Sequence, residues 1–386
     1  MGKHILVVSP IPSHPSDQGN AARILTLATQ LQARGFTLDF FYYGMEGITS
    51  QTRAEMEKFW HEFHFLPSLP LPEPKFARHW GIDDWCPDAL RTAIAALHER
   101  KHYDAVLVNY VWMSKVLAGL TGTLKIIDTH DLFGDRHQIS IREGMEPRWF
   151  FTSIAEEDRG FSRADLLLGI QNKETADIAA RVDVPAMTIG HLMPPRFLTH
   201  PAKTPPHFTF GYIGSGNPWN VRSIQALDGA LADGPAVDWM LAGSILKQPL
   251  PLKTAPYRLG FVKTLDEFYN NVQCVINPMR GGTGLKIKTV EALSHGCPVI
   301  GTVDAFVGLP VRHEAHRLES VEDCAAMMRA YAESPALREE IELASRTLYF
   351  TYALEIRQGI DELCRVVERG AVIQNKAKRS AVKAAS

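Results

Sequence analysis

Long apolar runs, paired cysteines and an excess of either charge are all missing from this 386-residue chain. No apolar run approaches the length of a membrane span, so a transmembrane helix is not expected. The five cysteines (Cys86, Cys274, Cys297, Cys324 and Cys364) show no paired spacing. That argues against a disulfide framework and for reduced, apolar fillers in a cytoplasmic protein. A net charge of -2 gives no global drive toward nucleic acid or anionic membranes. The apolar start, Ile5 to Ile11, leaves no room for a signal-peptide layout and reads better as a first strand. What remains is 45% hydrophobic and 22% charged, the composition of an ordinary globular protein with room for two α/β domains.

The most informative stretch runs from Val272 to Gly301. Val272 to Ile276 is β-branched and apolar, as a strand covered on both faces requires. Asn277 and Pro278 end it, and Gly281, Gly282 and Gly284 surround a single small residue, Thr283. A helix is expected from about Leu285 to Ser294, with Val290, Ala292 and Leu293 inward and Gly296 as its stop. The amides and positive dipole end of such a helix form an anion site. Lys286 and Lys288 would be unfavourable beside that dipole unless an anion is expected there. The phosphate-loop pattern Gly-x-x-x-x-Gly-Lys-Ser/Thr is absent, and the glycine spacing does not fit the dinucleotide fingerprint.

Pro278, Arg280, Gly282, Gly284, Lys286, Lys288, Glu291, Ala292, Gly296, Pro298 and Val299 together resemble the donor-binding element of GT-B-fold glycosyltransferases. The likeness is strongest to the large retaining family numbered four, the glycosyl transferases group 1. The resemblance implies an α/β fold of two doubly wound Rossmann-like domains facing an interdomain cleft. It makes Lys286 a phosphate ligand and Glu291 the ribose ligand, and it places Arg280, Gly282, Thr283, Gly284 and Leu285 around the donor. The family's first glutamate would fall at 283, where this chain has Thr283, so contact to the donor sugar is lost or replaced. A βαβ turn with incidental glycines is the plainer alternative.

Taken in order, Ile5–Val8, the helix Ala21–Ala33 and the strand Thr37–Tyr43 open a doubly wound sheet, whose ligands bind at the carboxyl ends of its strands. Asp17, Gly19 and Asn20 lie in the first such loop, which faces acceptor and diphosphate in the resembled family. Asp17 or Asn20 as a simple helix cap is the equal alternative. Ala54 to His64 is expected to be helical. His61 and His64 have a spacing that suits a metal, but no third ligand stands near in sequence, so surface histidines are expected. Leu66 to Asp88, with Phe76, Trp80, Trp85, Lys75 and Arg78, reads as a packed loop, with acceptor or membrane contact as the alternative. Asp83-Asp84 lacks the Asp-x-Asp spacing of the metal-binding motif of the other large transferase fold.

Leu124–Asp128 is a strand leading into Thr129-His-Asp-Leu-Phe-Gly-Asp-Arg136. In the resembled family a histidine at this point lies beside donor sugar and acceptor, making His130 the catalytic candidate and Asp131 its acceptor-side neighbour. A long helix is expected from Pro147 to Ser162 and a hinge within Met193–Pro206. The second domain restarts with the strand Phe208–Ile213 and the loop from Gly214 to Asn220. The resemblance turns Gly214, Asn220 and Arg222 toward the donor diphosphate and Val262 toward its base. Two helices, Ala336–Thr347 and Phe350–Glu368, close the fold, the last returning to the first domain, and the basic tail Lys376–Lys383 is expected to be solvated.

These readings imply domains at 1–200 and 207–349, with the helix 350–369 on the first. The expected protein is a cytoplasmic, metal-independent, retaining glycosyltransferase of the kind used in polysaccharide biosynthesis. It would need no cofactor beyond the nucleoside-diphosphate sugar it consumes. Its acceptor would be a saccharide, a lipid-linked glycan or a small molecule, with at most peripheral membrane contact. A nucleotide-sugar 2-epimerase and an inactive nucleotide-sugar-binding partner protein are the rival readings.

Overall fold

The computed structural model describes residues 3–16, 18–147, 149–199 and 206–370. The candidate Asp17 and the tail Lys376–Lys383 therefore lie outside the described residues, as does part of the expected hinge. The chain forms two compact units. One ends at His191 and takes in the chain again from Ile356, and the other runs from Leu192 to Glu355.

Among the described residues the first unit holds seven strands: β1 (His4–Ser9), β2 (Thr37–Gly44), β3 (Glu62–Pro67), β4 (Ala105–Asn109), β5 (Leu124–Asp128), β6 (Leu166–Gly169) and β7 (Ala186–Thr188). Their order is β3-β2-β1-β4-β5-β6-β7, with every pairing parallel. Parallel strands need covered faces, and β1, β2, β4 and β5 are buried almost throughout. The helix Gly19–Gln32 supplies part of the cover with Ile24, Leu27, Ala28 and Leu31.

Three sequence expectations change here. The helix expected over Ala54–His64 spans Ser50–Phe59 instead, and Glu62–Pro67 is the edge strand β3. Phe63 and Phe65 alternate with Glu62 and His64, a period of two that marks a half-buried strand. The helix expected from Pro147 begins only at Ile154, where Ser153 Oγ accepts the Glu156 N–H at 3.3 Å. Ahead of it Phe150 is buried beside Trp85 and Trp112. Finally, the two closing helices are one continuous helix, Pro335–Arg369, because no glycine or proline interrupts residues 347–350. From Ile356 onward it belongs to the first unit, where Arg34 pairs with Asp361 at 2.8 Å.

The second unit repeats the plan with β8 (Phe208–Ile213), β9 (Trp239–Ala242), β10 (Tyr257–Gly260), β11 (Val272–Asn277) and β12 (Val299–Gly301), ordered β10-β9-β8-β11-β12 and all parallel. Phe210, Tyr212, Ile224, Leu227, Trp239, Leu241, Ile276 and Ile300 form its core. Among the described residues no helix is long and apolar enough to cross a membrane.

Candidate active site

Each sheet reverses its strand order once, between β1 and β4 in the first unit and between β8 and β11 in the second. At such a switch point adjacent connections leave to opposite faces and open a crevice at the carboxyl ends. The loops singled out from the sequence leave from these two points or beside them.

In the second unit, β11 gives way to the loop Pro278–Lys286 and then to the helix Ile287–Ser294, which has no acidic residue in its first turn. The loop is tied down from below. Ser223 Oγ accepts the Arg280 N–H at 3.0 Å, Asp304 Oδ2 accepts the Gly281 N–H at 2.6 Å, and Thr302 Oγ1 donates to Met279 O. Gly281 has φ +77°, and a Cβ there would come within 2.6 Å of the Trp219 ring. Gly282 and Gly284 are also left-handed, at φ 83° and 72°. Only glycine takes three such positions in one turn without strain.

The two lysines divide their work. Lys286 is buried, and its Nζ donates to Thr283 O and Gly284 O at 3.0 Å, clasping the turn from inside. Thr283, in the place of the family's first glutamate, is exposed and contributes a carbonyl to this clasp. Lys288, two residues on, donates from Nζ to Tyr212 Oη and Asn220 Oδ1, both at 2.7 Å. Asn220 is itself fixed by a 3.0 Å bond from Nδ2 to Ser215 O. Burial, with Lys286 close by, pulls the Lys288 ammonium down to about 7, against a smaller opposite pull from Glu291. Glu291 moves the other way: burial lifts its carboxyl to about 7, although the Tyr269 hydroxyl at 3.4 Å and Lys288 favour its charged form. Opposed shifts in neighbouring groups are a mark of functional sites. Arg222 and Arg280 are exposed, Leu285 is buried under the loop, and Gly214 donates its N–H to Ala242 O at 3.2 Å. Val262 lies two residues past the end of β10, buried beside the exposed Phe261.

In the first unit His130 follows β5 at φ 59°, a left-handed position. Its ring is buried, stacks on Tyr110 at 4.2 Å, and places Nε2 2.8 Å from Asn109 Oδ1. Beneath it Arg23 and Asp128 form a fully buried, two-pronged ion pair, with contacts of 3.0 and 2.9 Å from Nε and 2.5 Å from Nη2. Burial lowers His130 to about 4, Asp128 opposing and Arg23 adding to the shift, so the imidazole is neutral at pH 7. His191 is buried close by and depressed to about 3 for the same reason, with Arg23 and His130 contributing. Asp131 accepts the Leu132 N–H at 2.9 Å and pairs with Arg136 at 3.3 Å. Gly19 opens its helix, whose N-cap is Gln18 without a side-chain bond. Asn20 Oδ1 accepts the N–H of Ala21 at 2.9 Å, and its side chain also bonds the Tyr110 hydroxyl.

A family model described as "Glycosyl transferases group 1" matches residues 211–333, which contain every second-unit feature just described. Residues 211–333 carry the likeness to the group 1 glycosyltransferases. The whole chain is similar to sucrose-phosphate synthase from Thermosynechococcus elongatus at TM-score 0.67 and 18% identity, over 94% of this chain and 99% of that one. It is likewise similar to HepE of Anabaena, solved with UDP, at TM-score 0.64 and 13% identity over 95% and 100% of the two chains. A third likeness is to S. aureus TarM, at TM-score 0.67 and 10% identity over 94% and 99%. No curated protein matches in sequence. These likenesses give the fold as GT-B.

Within this glycosyltransferase the structure gathers Asn220, Gly281, Gly282, Thr283, Lys286, Lys288 and Glu291 around one helix start. It gathers Asn20, Asn109, Tyr110 and His130 around one strand end. Sequence reasoning missed Arg23 and Asp128, the buried pair under His130. The signal was there: an arginine on the apolar face of a helix, between Ala21 and Ile24. It also gave Lys288 no ligand role, because spacing alone does not tell which of two lysines turns inward onto the loop.

Proposed function

We propose that the protein transfers a sugar from a nucleoside-diphosphate donor to a glycan, lipid-linked or small-molecule acceptor, without a catalytic metal and with retention of configuration. The observation that carries this is the half-buried Lys288 held beside a helix start that has no acidic residue, with Glu291 one helical turn away. Loss of the diphosphate leaving group develops negative charge, and preorganised amides with a lysine meet that charge. Lys286 holds the turn in shape, Lys288 faces the phosphates, and Glu291 takes the ribose hydroxyls. Charge neutralisation by lysine and helix dipole supports the metal-independent reading.

His130 is proposed at the reacting sugar as a neutral hydrogen-bonding group. With its ring kept neutral, it does not serve as a proton store at pH 7. Retention is proposed through a front-face route. The bond from the anomeric carbon to the phosphate oxygen breaks, the acceptor oxygen bonds to that carbon on the same face, and the acceptor proton passes to the departing phosphate.

A thermal-shift panel of UDP-, GDP- and ADP-sugars identifies the donor. Incubation of the stabilising donor with acceptors, read by anomeric NMR, then tests the reaction. Nucleotide release with a retained linkage is expected. Inverted product removes the front-face route. Sugar interconversion without nucleotide release would identify an epimerase, and binding without turnover a non-catalytic partner.

A further inference from the structure

At the opposite, amino-terminal edge of the first sheet, three adjacent strands bring together residues that lie far apart in sequence. Asp39 of β2 pairs in register with Leu6 of β1 and Glu62 of β3. Side chains alternate between sheet faces, so His4, Asp39, Glu62 and His64 share one face. Asp39 is completely buried, an environment that a carboxylate tolerates only with partners. Its Oδ2 accepts from the Tyr103 hydroxyl at 2.7 Å. Its Oδ1 lies 2.8 Å from His61 Nδ1 and 3.0 Å from His4 Nε2. The two imidazoles stand at right angles, with ring centroids 5.5 Å apart.

We propose that His4, Asp39 and His61 form a structural site for a divalent transition metal of the zinc class. Their three donor atoms lie within 4.8 Å of one another. Tetrahedral zinc with bonds of about 2.0–2.2 Å spaces its ligands about 3.3 Å apart. The two contacts to Oδ1 are a few tenths of an ångström shorter than that spacing. A small opening of the cluster therefore admits the ion.

The donor set of two imidazoles and one carboxylate suits zinc, cobalt or nickel, and is poor for calcium or magnesium, which take oxygen ligands. Tyr103 does what an outer partner of a metal-bound carboxylate does, holding one oxygen so that the other faces the ion. His61, with 54% of its side chain exposed, gives the ion a way in. Glu62 and His64 form a second triad through the same Asp39, with Glu62 also paired to Lys101. The sequence pointed to His61 and His64 and found no third ligand. In the structure the two fall in separate triads that share Asp39 of the neighbouring strand, and it is His4 that completes the one with His61. The ion would pin the starts of β1, β2 and β3, away from the carboxyl-end loops, so it plays no part in the proposed transfer.

The full chain, stripped with chelator, is titrated with zinc chloride by calorimetry, and its thermal midpoint is followed with and without zinc. The expected result is one tight site per chain and a midpoint that rises with zinc concentration. His61→Gln and His4→Gln are each expected to weaken that site about ten-fold or more, with the metal-free midpoint of His61→Gln unchanged. Cobalt(II) should give the visible absorption of a four- or five-coordinate ion in the wild type and lose it in both variants. Zinc affinity that is the same in wild type and both variants, or no tight site in the wild type, would overturn the proposal.

Discussion

Lys288 is where the chemistry of the proposed donor pocket concentrates. A half-buried lysine with a pKa of about 7 is only partly charged near neutrality. A diphosphate placed beside it favours the charged form and raises that pKa, so binding must draw a proton from solution. Calorimetry of nucleoside diphosphate binding at pH 7.5 in two buffers of different ionisation enthalpy should show proton uptake. In Lys288→Met the uptake should vanish and affinity should fall about ten-fold or more, the scale of a lost charge-assisted hydrogen bond. His130 belongs to the same scale with a different signature. His130→Asn, which keeps a side chain that tolerates the left-handed backbone, should lower kcat about a hundred-fold while donor Kd changes little. Steady-state kinetics with a separate binding titration checks the split.

The β11–loop–helix element shows how much a sequence discloses and where it stops. The strand, the glycine turn and the helical stop at Gly296 were all legible, because β-branched runs, glycines and apolar periodicity are local signals. The structure gives the strand as Val272–Asn277 and the helix as Ile287–Ser294, two residues later than expected, since Lys286 takes the N-cap position. The inward turn of Lys286 was not legible, because it depends on the Thr283 and Gly284 carbonyls that only the folded loop presents. Nor was β3, since its alternation spans few residues and directly follows a helical pattern. Gly281 tests this element. Alanine there meets both a left-handed φ and the Trp219 ring, strain of about 1–2 kcal/mol before the clash. Gly281→Ala should abolish most of the thermal shift produced by the donor, more than it lowers the midpoint of the free protein.

Over the whole molecule, buried neutral histidines set the acid limit. Their folded pKa values, about 4 for His130 and about 3 for His191 and His316, lie below the unfolded value of 6.5. Between those values the unfolded chain binds more protons, so stability is fully present above pH 6.5 and is lost as pH falls toward 4 and 3. Thermal midpoints should therefore drop steadily from pH 6.5 to pH 4, and His191→Phe should flatten that slope. The parallel, doubly wound plan itself was readable from alternating strand and helix signals. The buried Arg23–Asp128 pair beneath the catalytic candidate was not, because its members are 105 residues apart and meet only when β1 and β5 join one sheet. One unbroken helix replaces the two expected, and helix signals alone do not say where along it the chain passes from one unit to the other.

The most direct test is a crystal structure of the chain with the nucleoside diphosphate that stabilises it. The expected result places phosphate oxygens about 3 Å from Lys288 Nζ and from the amides that open the helix Ile287–Ser294, with the ribose on Glu291. Phosphates bound elsewhere, with Lys288 still on Asn220 and Tyr212 and the glycine turn untouched, would contradict it.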